Sequence, residues 1–444
     1  MKIGFLKAIS IATVAGLLLA GCGGGTSDSV NTKGGSGTQT ESSKEADNGE
    51  NVTLKLYANY SDDQEKDTLD RAIEAMKKEM PNVTVEIEPA SQDDGQKLKT
   101  YAASGNLPDI FKSDGVDIEI LNKSGTLLQL DEYAKEAGII DDIADAYKDA
   151  LYMSDGHIYA VPWQSPWVNS FYANKKVFEE NGVKIPENYD EFLTAVKTFN
   201  EKGVLPYALF GKEKQWCLHL YDIMVTRKAP DGIKGLDENT AKASDADYLE
   251  AANKLIELVN AGMLSKDVFN TTYDQAKALF TSDKCAMFMT GTWALNGLEQ
   301  EMGDNLVLMY YPLAAAGSEE EARWNMSGGY SQGGFSVPEY SKNKEIAAKY
   351  AVLLSRKVND AFVALEGGTS IYKDSPKSEK ELGPVMSQYI EDTKNFKSMS
   401  KFDWNLSNQE LKTVMEDKAQ ELLTGTITAE DFAKEIDAAI EETN

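Results

Sequence analysis

Few side chains in this sequence are suited to covalent chemistry. Ser331 stands in Gly329-Tyr330-Ser331-Gln332-Gly333, the G-x-S-x-G spacing that sets a nucleophilic serine on a sharp strand-to-helix turn. That elbow takes its histidine from later in the chain, and the two histidines present, His157 and His219, both precede the serine. The hydrolase reading therefore fails. Gly328, Gly329, Gly333 and Gly334 are read instead as a loop with unusual backbone angles or close approach to something bound. Two histidines leave little room for an imidazole metal centre, and there is no H-E-x-x-H, EF-hand or Cys/His cluster, so no metal or cofactor is expected. Carboxylates are plentiful, 72 Asp and Glu against 45 Lys and Arg. The net charge of −27 removes the electrostatic basis for nucleic-acid binding. A glycosidase needs two carboxylates facing each other across a substrate, which spacing along a chain does not reveal.

Tryptophan is the more useful signal. Trp163, Trp167, Trp216, Trp293, Trp324 and Trp404 mostly fall beside Pro, Gly or polar loop residues. Indoles at junctions between loops and regular elements suit a carbohydrate cleft, because the apolar face of a sugar ring stacks on them while its hydroxyls need polar partners. Any one of them taken alone is more simply a core or lobe-edge aromatic; the set points to a site that contains at least three.

The elements that must position these residues follow from periodicity. Val52, Leu54, Leu56 and Ala58 alternate with polar residues as in a strand buried on one face. Ser61 and Gln64 then stand at capping-box spacing, and Leu69, Ile73, Met76 and Met80 recur at helical steps before Pro81. Val83, Val85 and Ile87 alternate again, so the chain opens on a parallel βαβ unit and is α/β. Helices are expected near 93–104, 175–181, 189–202, 248–261, 274–280, 344–358, 408–423 and 429–442, and strands at 285–289 and 306–311. A hydrophobic content of 42% with 9% aromatics is ordinary for a folded chain, so the acidity is a solvated surface.

The first residues carry an address. Lys2 and Lys7 precede an apolar stretch from Ala8 to Ala20, too short to span a bilayer in a helix. It ends in Leu19-Ala20-Gly21-Cys22, which resembles the lipobox of bacterial lipoproteins, where the signal is cut before a cysteine that becomes acylated. Sixteen of the 28 residues 23–50 are Gly, Ser or Thr, the composition of a flexible tether. With Cys22 lipidated, Cys217 and Cys285 remain, either as a disulfide or as two separate buried thiols.

Six stretches in order then resemble the extracellular solute-binding proteins (family 1) of bacterial carbohydrate ABC importers, the family that includes maltose-binding protein. They are Gly105 to Phe111, Thr126 to Tyr133, Asp155 to Pro162, Phe171 to Phe178, Pro186 to Phe192 and Ala286 to Trp293. The resemblance implies a type II periplasmic-binding-protein-like fold of two α/β lobes, with a hinge crossed three times near Val161–Pro166, near Tyr330–Gly334 and around residue 380. On this basis 1–21 is a lipoprotein signal and 22–50 the lipidated cysteine and tether. Residues 51–163 and 331–380 form lobe 1, and 164–330 and 381–444 form lobe 2. Ligand positions implied by the family are Asp62 and Asp114 from the first lobe. Trp163, Gln164, Trp167, Trp216, Trp293 and Trp404 come from the hinge and second lobe, together with Gly328, Gly329 and Tyr330. The segment from Trp163 to Trp167 is more aromatic than is usual in the family, which favours a ligand with more ring surface.

The function implied is a monomeric lipoprotein, held outside the cell membrane by Cys22, that captures a mono- or oligosaccharide between its lobes and delivers it to the permease subunits. No enzymatic activity, cofactor or nucleic-acid partner is expected. The competing readings are a cell-surface glycan-cleaving enzyme and a receptor for a peptide, polyamine or metal chelate.

Overall fold

The computed structural model describes residues 51–90, 95–163, 165 and 167–443, all within the unit Glu50–Asn444. The expected signal, Cys22, the tether and Gln164 lie outside the described residues. The opening unit follows its hydrophobic pattern. Strand β1 (Val52–Ala58) buries Leu54 and Leu56 and exposes the alternating Thr53 and Lys55. The helix Asp63–Glu79 covers it with Leu69, Ala72 and Met76 and stops at Met80, since Pro81 cannot continue the ladder. Its cap sits one residue later than the Ser61/Gln64 spacing suggests. The Asp62 carboxylate accepts from the Glu65 amide at 2.8 Å, and the Glu65 carboxylate reaches back to the Ser61 amide at 2.8 Å. A carboxylate at the positive end of a helix is the better acceptor, so the acidic residue takes the cap.

Strand β2 (Val83–Pro89) pairs parallel with β1 in the register Val52↔Val83. After the helix Gln96–Ser104, strand β3 (Ile110–Asp114) pairs parallel on the other side of β1. The second sheet contains β4 (Asn169–Asn174), β5 (Leu205–Ala208), β6 (Cys285–Gly291) and β7 (Leu306–Met309) in the order β5-β6-β4-β7. β4 is antiparallel to β6 and β7, and β5 is parallel to β6, so this sheet is mixed. All six residues of β4 are buried, as fits a central strand covered on both faces. Phe171, at its centre, packs within 5.4 Å of Tyr207, 6.1 Å of Tyr311 and 6.2 Å of Phe192, ring centre to ring centre. Burying each such side chain is worth roughly 1.5–3 kcal/mol.

Strand β8 (Asn325–Gly329) pairs with β10 (Ser398–Ser400), while β9 (Gly333–Ser336) between them in sequence runs antiparallel to β3 as the edge of the first sheet. The helix Lys344–Glu366 then packs on Asp63–Glu79. The last two helices, Gln409–Thr424 and Ala429–Thr443, pack against Gln215–Val225 and Ala246–Asn260 beside the second sheet. Periodicity does not announce Gln215–Val225: ten of its eleven residues are buried, and a helix wrapped on all sides shows no polar face. Cys217 in that helix and Cys285 at the start of β6 are separate buried thiols. Burial pushes both up to about 12, so neither is a ready nucleophile. Among the described residues no helix is long and apolar enough to cross a membrane.

Candidate functional site

A cavity of about 930 Å³ opens where the carboxyl ends of β1 and β3 face the segment before β4 and the residues around 402–412. Open α/β sheets place their ligand crevice at that end because neighbouring loops diverge there. Asn59, one residue beyond β1, and Lys112 and Asp114 in β3 line the first side. Trp163, Ser165 and Trp167 line the connection to β4, and Phe402, Trp404 and Asn405 the far side.

The far side is a stack of aromatic rings. Phe402 and Trp404 lie nearly parallel, 4.2 Å apart at 13°. Residue 402 is extended and 403–405 form a single 3₁₀ turn, and that sequence of conformations brings the two rings together. Trp293 stands edge-on to Trp167 at 5.6 Å, and 5.9 Å from Phe402 and 6.3 Å from Trp404. Its ring folds back across Gly291, where a Cβ would lie only 1.8 Å from the indole. Glycine at that strand end is therefore what admits the indole. Trp167, Trp293 and Trp404 are 40%, 38% and 42% exposed, against 4% for Trp216, which backs Trp293 from the core at 6.0 Å. Three large apolar surfaces left this open beside one cavity form the exposed patch expected of a binding site.

The near side is polar. Asp114 occupies the cap position of the helix Gly115–Lys123 but its side chain makes no capping bond, and it remains 67% exposed. Lys112 Nζ lies 3.8 Å from Asp114 and 4.9 Å above the Trp163 ring, so one face of that indole is already covered by an ammonium group. Asp117 also lines the cavity; burial first, and then the charge of Asp114, pushes its carboxyl above the ordinary range. Ser331 lines it too, with Asn405 Nδ2 3.5 Å from its hydroxyl. The histidines are engaged elsewhere, His157 with Asp131 at 3.4 Å and His219 with Asp403 at 2.8 Å.

The structure thus gathers Asp114, Trp163, Trp167, Gly329 and Trp404 on one cavity, with Trp293 packed against two of them. Trp216 supports the set from within the core, and Trp324 packs on Tyr310, 5.1 Å away. Asp62 is absent from the lining and spends its carboxylate on the helix cap. Gly328 and Gly329, at φ of 74° and 93°, are conformations that side chains resist. A Cβ on Gly328 would meet the Phe402 ring at 2.6 Å, and one on Gly329 would meet Met399 at 2.7 Å. Tyr330 points away from the main cavity: its amide donates to the Ser400 carbonyl at 2.9 Å and its ring lies under Lys234 Nζ at 4.4 Å. Asn59, Lys112, Phe402, Asn405 and Lys412 line the cavity without having been singled out from sequence. The position of Asn59 just past a parallel strand was the available signal; Phe402 and Lys412 carried none. Among the described residues no group of three or more His, Cys, Asp or Glu is arranged to hold a metal ion.

The sequence and the fold both have relatives among known proteins. The profile of the family described as bacterial extracellular solute-binding protein matches residues 62–360. The Multiple sugar-binding protein of Streptococcus mutans is 29% identical over 309 residues, which is 68% of this chain and 66% of that protein. The Melibiose/raffinose/stachyose-binding protein MelE of Bacillus subtilis is 24% identical over 250 residues, 54% of this chain and 56% of that one. The chain thus spans less than two thirds of the length of these relatives. The structure of a family 1 extracellular solute-binding protein from Bifidobacterium longum subsp. infantis has a TM-score of 0.72 at 22% identity, covering 89% of this chain and 100% of that one, and shares its two-lobed α/β fold.

Proposed function

The chain belongs to the bacterial extracellular solute-binding proteins, and on that premise we propose that its cavity captures a sugar, in particular an oligosaccharide, for delivery to the membrane permease of an ABC importer. The observation that carries this reading is the division of the cavity between the open rings of Trp167 and Trp404, with the open ring of Trp293 packed against both, and the polar groups of Asn59, Lys112 and Asp114. A sugar ring is apolar on its face and hydroxylated at its rim, and such a cavity meets both parts. The named relatives support the sugar class. Indole faces also take ammonium groups and aromatic side chains, as Lys112 over Trp163 illustrates, so the preference for a sugar over a polyamine or peptide comes from those relatives.

Closure on the ligand is a hinge motion that favours the population in which the ligand touches both sides. The chain would cross the hinge three times. Val161 still bridges Phe335 of the first sheet, whereas the Val168 amide donates to Thr292 beside the second. β8 and β9 belong to different sheets. Near residue 380, Arg71 pairs with Glu379 at 2.5 Å while the Val385 amide donates to Glu299 at 2.6 Å. On this division 51–163 and 331–380 form one lobe, and 164–330 and 381–444 the other. The protein acts as a monomer anchored through lipid on Cys22. Serine and thiol chemistry are closed to it, because Ser331 has no histidine partner and both buried thiols are protonated at neutral pH.

A thermal-shift screen of the purified protein against saccharides, peptides and polyamines tests the ligand class, because a ligand bound only by the folded form raises the midpoint. A rise with oligosaccharides alone is expected; a rise with peptides or polyamines alone would replace the sugar reading. Cys22→Ser should release the protein from the membrane fraction or leave it unprocessed, and unchanged attachment with unchanged processing would remove the anchor. Chromatography of a bound oligosaccharide after long incubation should find it intact; cleavage products would make the protein an enzyme.

A further inference from the structure

We propose that Asp403 is a positioning residue of the sugar site: clamped between His219 and Lys412, its carboxylate fixes the turn that presents Phe402 and Trp404 to the cavity. The inference rests on the sugar-binding reading for its consequence and on the structure for its geometry. Asp403 is 2% exposed and lies between the two stacked rings in sequence. One of its oxygens accepts from His219 Nε2 at 2.8 Å and the other from Lys412 Nζ at 3.1 Å. The same imidazole packs on both rings, 5.2 Å from Phe402 and 5.5 Å from Trp404, and on Trp216 at 4.9 Å. His219 is fully buried in the helix Gln215–Val225, and Lys412 lines the cavity from the helix Gln409–Thr424. Three separate elements are thus tied to one carboxylate.

Burial alone would hold the Asp403 carboxyl up, but the His219 bond and then Lys412 bring it well below the usual carboxylate range, so it accepts from both donors at neutral pH. A buried ionic group is a poor source of net stability, because desolvation offsets much of the attraction. Its contribution is direction. Apolar packing lets a ring slide, whereas two charge-assisted hydrogen bonds of defined geometry do not. Sugar stacking depends on the tilt and height of Trp404, and these are what the clamp sets.

The test compares the full-length parent with Asp403→Asn, His219→Leu and His219→Gln. Glutamine retains an N–H that can reach Asp403, whereas leucine does not. Two quantities are read: the indole N–H resonance of Trp404, assigned by its loss in Trp404→Phe, and calorimetric titration with raffinose and with xylotriose. Asp403→Asn and His219→Leu should displace the Trp404 resonance and weaken saccharide binding about tenfold, the scale of one lost charge-assisted bond. Loss of the imidazole's own ring current is common to both histidine variants, so His219→Gln should displace the resonance clearly less than His219→Leu and bind within about threefold of the parent even where its unfolding midpoint falls. A Trp404 resonance unmoved in His219→Leu overturns the proposal, as does a displacement in His219→Gln equal to that in His219→Leu. Where Asp403→Asn does not fold, the histidine pair decides. If the parent binds neither saccharide, nor any other in the screen, the sugar reading fails, while the resonance still judges the clamp.

Discussion

On the far side of the cavity Phe402, Trp404, Trp293 and Trp167 form a wall of rings backed by the buried Trp216 and His219, whereas the near side is made of Asn59 just past β1 and of Lys112 and Asp114 in β3. The aromatic side is held from beneath by core packing and by the Asp403 carboxylate. The polar side is held more loosely: Asp114 caps nothing, its nearest cation, Lys112, is 3.8 Å away, and Lys112 rests on the Trp163 ring. A rigid apolar surface supplies affinity at low entropic cost, and solvated polar groups discriminate between ligands while adding little net energy. The difference therefore assigns binding energy to one wall and selectivity to the other.

The largest effect should come from removing the support of the aromatic wall. Trp216→Ala empties a site only 4% exposed, and should cost about 3–5 kcal/mol of stability, read as a drop in denaturant midpoint. A loss below about 1 kcal/mol would show that the wall does not depend on its backing. Trp293→Ala, at a residue 38% exposed, should instead weaken saccharide binding by roughly tenfold to a hundredfold while the fold survives. Stability lost with affinity unchanged would turn Trp293 into a core residue. Asp114→Asn should weaken binding by less than about tenfold and change the order of preference among saccharides; a loss matching that of Trp293→Ala would erase the division of labour.

The smallest effect concerns the edge of the aromatic wall. Burial, and then the charge of Asp403, raises the Glu416 carboxyl to about 7 from an ordinary value of 4.5. The folded state thus holds this proton more tightly than the unfolded one. The associated stability is present below pH 4.5 and is lost as pH rises through about 7. Glu416→Gln should accordingly gain on the parent in unfolding midpoint at pH 8 and not at pH 4; an equal difference at both would mean that the carboxyl does not titrate there.

How much of this was legible in the sequence depended on distance along the chain. The β1–helix–β2 unit was readable because its pattern is local, with Leu54 and Leu56 on one face and Leu69 and Met76 at helical steps. Asp114 and three of the cavity tryptophans were reached through tryptophan chemistry and family resemblance together. Asp62 also came from that resemblance, and here its carboxylate caps a helix. The helix Gln215–Val225 lacked a stripe because it is buried all round. The His219–Asp403 bond joins residues 184 positions apart, and no local pattern encodes such a pair. Phe402 went unnoticed because its ring matters only once Trp404 lies on it.

The account stands most directly on Trp404, which is 42% exposed, stacked on Phe402 and at the cavity surface. Calorimetric titration of the parent and Trp404→Ala with the same oligosaccharide, with unfolding midpoints recorded alongside, measures what that ring supplies. Binding by the parent, a roughly tenfold to hundredfold loss in the variant and a midpoint within a few degrees of the parent are the expected results. Equal affinities in the two proteins would contradict the claim that the aromatic wall carries the binding energy.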